Sequence, residues 1–172
     1  FVAPVVKGDL VLLRGTTGVT MQDLSVSHAD WGRDVGYVMA ASGGCQAASF
    51  LNSSAVQLAH ATRSTFERIG VSHVGEYGLW IHAGSTYNIV RESVLWDLGA
   101  GGIRLGSGKP LVDHPDGTAY NLIEDTTAAR GSHVFHEGNG ILLQKSSHNT
   151  IRHCEVRLFY PFSFFLTRCG SA

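Results

Sequence analysis

The chain has 172 residues, 44% of them hydrophobic and 16% charged, and thirteen Lys+Arg against fourteen Asp+Glu leave a net charge of −1. That length suits one domain with a buried core, and the composition excludes a disordered chain. The balanced charge argues against a nucleic-acid binder or a protein held on a membrane by basic residues, and the longest apolar stretch, near residues 5–13, is broken by Lys7 and Asp9 and cannot span a bilayer.

Taken in chain order, Leu10-Val11-Leu12-Leu13 is the first apolar run and Thr20-Met21-Gln22-Asp23-Leu24-Ser25-Val26 the second. An excursion of about one repeat follows at residues 31–54. Ala55-Val56-Gln57-Leu58 then repeats the first run, and Ser64-Thr65-Phe66-Glu67-Arg68-Ile69-Gly70-Val71 repeats the second. Gly78-Leu79-Trp80-Ile81 lies 23 positions after Ala55, and Asn88-Ile89-Val90-Arg91-Glu92-Ser93-Val94-Leu95 lies 24 after Ser64. Gly102-Ile103-Arg104-Leu105 continues the first series, and Asn121-Leu122-Ile123-Glu124-Asp125 the second, delayed by extra residues at 107–119. A further insertion at 131–139 precedes Gly140-Ile141-Leu142-Leu143. Asn149-Thr150-Ile151-Arg152-His153-Cys154-Glu155-Val156 comes next, and residues 159–166 read as one more partial unit.

Each run alternates apolar and other residues, the period of a half-buried strand, and none sustains a helical period. The 21 glycines, where about 12 are average, and the 4 prolines, where about 9 are average, suit a chain that turns often yet keeps its main-chain donors for pairing. A repeat of 23–24 residues with two or more short strands predicts an all-β fold, a parallel β-helix of about five to six coils forming a single domain over 1–172. A leucine-rich repeat shares this period, but its signature Asn and leading Leu-x-x-Leu are missing. Cys45, Cys154 and Cys169 are too few and too scattered for a disulfide framework or a zinc site.

Thr65-Phe66-Glu67-Arg68-Ile69-Gly70, Asn88-Ile89-Val90, the segment from Leu95-Trp96-Asp97 to Gly102-Ile103, Gly140-Ile141 and His148-Asn149-Thr150-Ile151 resemble the right-handed parallel β-helix proteins of the pectin-lyase superfamily. Within it, the likeness is to secreted bacterial proteins near glycoside hydrolase family 141. The resemblance covers residues 5–160 and implies right-handed coils, a polysaccharide substrate and a secreted or periplasmic location. Such proteins usually run to several hundred residues, and the ending Phe164-Phe165-Leu166-Thr167-Arg168-Cys169-Gly170 does not read as a cap. The expectation is a chain truncated at its C-terminus, with self-association through an uncapped last coil that exposes Phe162, Phe164 and Phe165.

Stacked coils align side chains into columns, one rung about every 4.8 Å. Eight residues after the first strand position of each unit, one column reads His28, His73, Asp97, Arg130, Leu158. This is either a substrate cleft or a solvated ladder in which Asp97 and Arg130 pair. Asp97 stands out because Leu98-Gly99-Ala100-Gly101-Gly102 leaves it on a bare turn. Glycoside hydrolysis needs two carboxyl groups about 5–5.5 Å or about 6.5–9.5 Å apart, which one and two coil spacings supply. Asp97 and Glu137 are the expected catalytic pair, with His136 as proton relay and Asp116, in the Pro115-Asp116-Gly117 turn, as a second candidate acid. Trp80, Arg104 and His82 would form a sugar platform, with His73 and Arg130 as further substrate contacts. Asn88, Asn121 and Asn149 read as a structural ladder between coils.

The expected function is thus a polysaccharide-active glycoside hydrolase without a cofactor, and the family resemblance implies xylan or a fucosylated pectic glycan as its substrate. A non-catalytic carbohydrate-binding or structural module stays open. So does a calcium-dependent polysaccharide lyase, although the acidic cluster for Ca2+ is not evident in the sequence.

Overall fold

The computed structural model describes residues 6–30, 51–107, 117–159 and 164–167. Five coils of three strands each follow one another. Strand β1 (Val6–Lys7) precedes the first coil, β2 (Val11–Arg14), β3 (Thr20–Gln22) and β4 (Ser25–Ser27), and β5 (Ala29–Asp30) follows it and pairs with β1. The second coil is β6 (Ser54–Ala59), β7 (Thr65–Glu67) and β8 (Gly70–Val74). The third is β9 (Tyr77–His82), β10 (Ile89–Arg91) and β11 (Val94–Leu98). The fourth is β12 (Ile103–Leu105), β13 (Leu122–Glu124) and β14 (Thr127–Ala129), and the fifth is β15 (Ile141–Gln144), β16 (Thr150–Arg152) and β17 (Glu155–Arg157). Strand β18 (Phe164–Thr167) opens a further turn by pairing with β15.

The first, second and third strands of each coil stack into three parallel sheets, here sheets 1, 2 and 3, of six, five and five strands. This is the right-handed parallel β-helix expected from the sequence, in the hand that parallel crossovers favour. A leucine-rich repeat is excluded, because all three faces are sheets and no helix occurs among the described residues. Nor does any helix there have the length and apolarity to cross a membrane.

The register follows the repeats. Val56, Leu79, Ile103 and Ile141 stack in sheet 1, Phe66, Val90 and Ile123 in sheet 2, and Val71, Leu95 and Ala128 in sheet 3, all facing one interior. Full burial of each large aliphatic side chain contributes about 1.5–3 kcal/mol, which a single coil could not obtain alone. The asparagine ladder is present between sheets 1 and 2. Asn88 Nδ2 and its main-chain N–H both donate to Asn121 Oδ1, and Asn121 does the same to Asn149 Oδ1, at 2.9–3.0 Å.

The second apolar series of the sequence resolves into two strands separated by a corner. The chain turns at Asp23, Arg68, Glu92, Asp125 and His153, all with φ between 47° and 56°. The excursions at 31–50 and 108–116, which contain Asp116, Asp113, His114 and Cys45, lie outside the described residues, as do Phe162 and Cys169.

Candidate functional site

The column containing Asp97 forms the corner between sheets 3 and 1. His28, His73, Asp97, Arg130 and Leu158 all adopt left-handed backbone with φ of 51–68°. Pairing of Trp96 with Ser72 on one side and Ala129 on the other places Asp97 between the rungs of His73 and Arg130. The left-handed residue interrupts the alternation, so Leu98, which pairs with Val74, points back into the core while Asp97 is left one-third exposed.

The insertion at 131–139 folds back over this corner through its main chain. Ser132 N donates to Ala100 O, His133 N to Leu98 O, and both Val134 N and Phe135 N to Gly99 O, at 2.7–3.3 Å. Ser132 Oγ closes the loop by donating to Gly138 O at 2.7 Å. Phe135 anchors it, wholly buried against Leu51, Tyr77, Ala100 and Leu142. Close contact is possible because Gly99 and Gly138 lack side chains: a Cβ on Gly99 would overlap the Gly75 main chain, and one on Gly138 the Ala100 main chain.

This folding sets a second imidazole at Asp97. His133 Nε2 lies 3.2 Å from Asp97 Oδ1, and His73 Nε2, from the coil before, lies 3.5 Å from Oδ2. His28 stacks on His73 with ring centroids 5.3 Å apart and planes at 5°, and its Nδ1 is 2.9 Å from Ser27 Oγ. Each oxygen of one carboxylate therefore faces a separate, half-exposed imidazole. Such a carboxylate can orient either ring for proton transfer. Sequence reasoning named Asp97 and His73 but missed His133, whose only sequence signal was its place at the start of an insertion that leaves the Asp97 column.

The remaining candidates fall in different places. Arg130 does not pair with Asp97; its guanidinium lies over the Trp96 ring at 4.8 Å. Glu137 sits at the other end of the His133 loop, half-buried, with Oε2 enclosed and without a hydrogen-bonding partner. His136 beside it is exposed. Trp80 and Arg104 do not form an open platform. They are 6% and 1% exposed, with Arg104 over the Trp80 ring at 4.3 Å, Trp80 Nε1 donating to Gly106 O, and Arg104 Nη1 donating to Leu51 O. His82 stacks on Trp80 at 3.9 Å and is half-buried. From β6 to β15 the outer face of sheet 1 is covered by a second layer, so Gln57, Trp80, Arg104 and Leu142 are buried, while Leu12 on β2 stays exposed. Tyr77 in that layer is pushed up to about 12 by burial, with Arg104 acting weakly against the shift.

No group of three or more His, Cys, Asp or Glu among the described residues could hold a metal ion, and the groups facing Asp97 are nitrogens where calcium takes oxygens.

No protein-family model matches the chain, and no curated protein does. Among solved structures the chain is similar to an alginate lyase from Paenibacillus sp. str. FPU-7, at 15% identity and a TM-score of 0.49. The match covers 85% of this chain and 55% of that one, so the chain spans about half the length of that structure.

Proposed function

We propose that the protein cleaves glycosidic linkages of a polysaccharide outside the cell by proton transfer at the Asp97 corner. The observation that supports this is the Asp97 carboxylate held between the His73 and His133 imidazoles on an accessible turn of a β-helix. In the hydrolytic form of the reaction, Asp97 is one of the two carboxyl groups and Glu137, on the loop that brings His133, is the other. The imidazole partners favour a second reading, eliminative cleavage: His73 or His133 withdraws the proton beside a uronate carboxylate, a C=C bond forms as the adjacent C–O bond to the leaving sugar breaks, that oxygen takes a proton from water, and Asp97 steadies the resulting imidazolium.

The test is a panel of neutral and acidic glycans, followed by reducing-end release and by ultraviolet absorbance of unsaturated products. Asp97→Asn is expected to lower turnover by about 10²–10⁴-fold. His133→Gln should act in the same direction, and Glu137→Gln should match Asp97→Asn only if the reaction is hydrolysis. Glycan binding without turnover in the wild-type protein would leave the non-catalytic binding module as the function. Turnover unchanged in Asp97→Asn would remove the site assignment.

A further inference from the structure

A second feature lies at the corner between sheets 1 and 2, across the width of sheet 1 from Asp97, roughly 17 Å along a six-residue strand such as β9. Parallel bridges Thr17–Thr62–Thr86–Ala119–Ser147 lock the rungs of this corner in register. The residues that follow them, Gly18, Arg63, Tyr87, Tyr120 and His148, therefore form one file, all with left-handed backbone. Tyr87 and Tyr120 stack at 5.1 Å and 6°, Tyr120 and His148 at 4.8 Å and 22°, and the Arg63 guanidinium lies over Tyr87 at 5.9 Å. Tyr87 and Tyr120 stay 52% and 48% exposed, although large aromatic side chains on a soluble protein are ordinarily covered.

Because the rings cover one another's faces, what they present outward is their edges and hydroxyls. Ring edges carry the positive end of the aromatic quadrupole, and a phenol O–H is a donor. Among the described residues of this corner the charges have one sign. Arg14, Arg63 and Lys145 lie on this corner with His60 and His148, and its described residues (14–18, 60–64, 82–88, 117–121 and 145–149) contain no Asp or Glu. Asp113 and Asp116, which precede Gly117 in the sequence, lie outside the described residues, and the described acids Glu67 and Glu124 are engaged by Arg68 and Arg91 and by Arg152. In a protein whose charges nearly cancel overall, a linear file of donors and cations at coil spacing is a complement for a linear polyanion. Stacking of nucleobases would need free ring faces, and both faces of Tyr87 and of Tyr120 are covered by neighbours in the file.

We infer that this corner is a second polysaccharide-contacting surface, which holds a carboxylate-bearing glycan lengthwise along the coil axis. The inference rests on the polysaccharide reading above and narrows it to an acidic chain. Each rung then offers one donor per repeat of a polymer whose carboxylates recur at a similar spacing, while the Asp97 corner cleaves at a distance from this hold.

The test is retention of the full chain, carrying Asp97→Asn to prevent turnover, on polygalacturonate, neutral xylan and a single-stranded oligonucleotide. Arg63→Gln and Tyr120→Phe are compared singly and together. Both positions are exposed, and Phe keeps the ring stack, so the variants are expected to fold; equal melting temperatures verify this. Expected are binding to polygalacturonate that weakens with salt, a loss of about tenfold or more in the double variant, and no retention by xylan. Equal affinity in the double variant, or equal affinity for the oligonucleotide, overturns the inference. Arg63-dependent binding, with no cleavage of any glycan by the wild-type chain, would sink the enzymatic reading and leave this surface standing. Cleavage of acidic glycans without Arg63-dependent retention would do the reverse.

Discussion

Replacing Asn121 by Ala removes the middle member of the asparagine ladder. Its side chain is 1% exposed and makes five hydrogen bonds: Oδ1 accepts from the main-chain N–H and the Nδ2 of Asn88, and Nδ2 donates to Ser85 O, Ala119 O and Asn149 Oδ1. Four of the five partners keep another contact after truncation. Asn88 Nδ2 still reaches Ala61 O, Ser85 O still accepts from Ala119 N, Ala119 O from Tyr87 N, and Asn149 Oδ1 from Asn121 N. The main-chain N–H of Asn88, wholly buried, is left without an acceptor at a cost of about 1–3 kcal/mol, and the other four losses add about 0.5 kcal/mol each. Asn121→Ala should therefore destabilise by about 3–5 kcal/mol, or about 10 °C in a domain of this size. Asn149→Ala, at a half-exposed rung where water can substitute, should lose only about 1 kcal/mol. Urea titration and thermal melting of the two variants measure the difference. Equal losses, or a shift of a degree or two for Asn121→Ala, would refute the argument that the ladder is held by buried main-chain demand.

Two further outcomes follow from the same geometry. Burial holds Tyr77 protonated up to about pH 12 in the folded chain, while an unfolded tyrosine ionises near pH 10. Between these values the unfolded state has given up the proton and the native state has not, so stability falls as pH rises through this window by about 2–3 kcal/mol in total. Tyr77→Phe should flatten this part of a denaturation-versus-pH curve, and an unchanged slope would mean the phenol is not enclosed. Gly99→Ala should abolish soluble folded protein or cost more than about 4 kcal/mol, since its methyl group would overlap the Gly75 main chain. Near-normal melting would show that neighbouring coils approach less closely here.

Much of the fold was legible because a solenoid writes its core into the sequence as a period. Val56, Leu79, Ile103 and Ile141 are spaced by their place in the coil, and their register matched the aligned repeats. The third sheet was harder to see, because its boundary corner is turned by Asp23, Arg68, Glu92, Asp125 and His153 rather than by glycine or proline. At the candidate site, the Asp97 column could be read from spacing alone, whereas His133 reaches Asp97 through main-chain hydrogen bonds of the loop to residues 98–100, which leave no side-chain signature. The misreading of Trp80 and Arg104 has a similar cause. Alternation tells which residues face the interior of the coil, but not that Leu51 and Phe135 roof the opposite face.

Eighteen non-glycine residues among those described turn the chain in the left-handed region, a conformation that disfavours an isolated segment by about 1–2 kcal/mol per residue. No coil could hold four such bends by its own preference. Each bend persists because the coil beside it dictates the path, as a finished course of masonry guides the next. Growth of the molecule is therefore expected to be directional and seeded, with every newly emerged stretch copying the shape of its predecessor rather than searching for it.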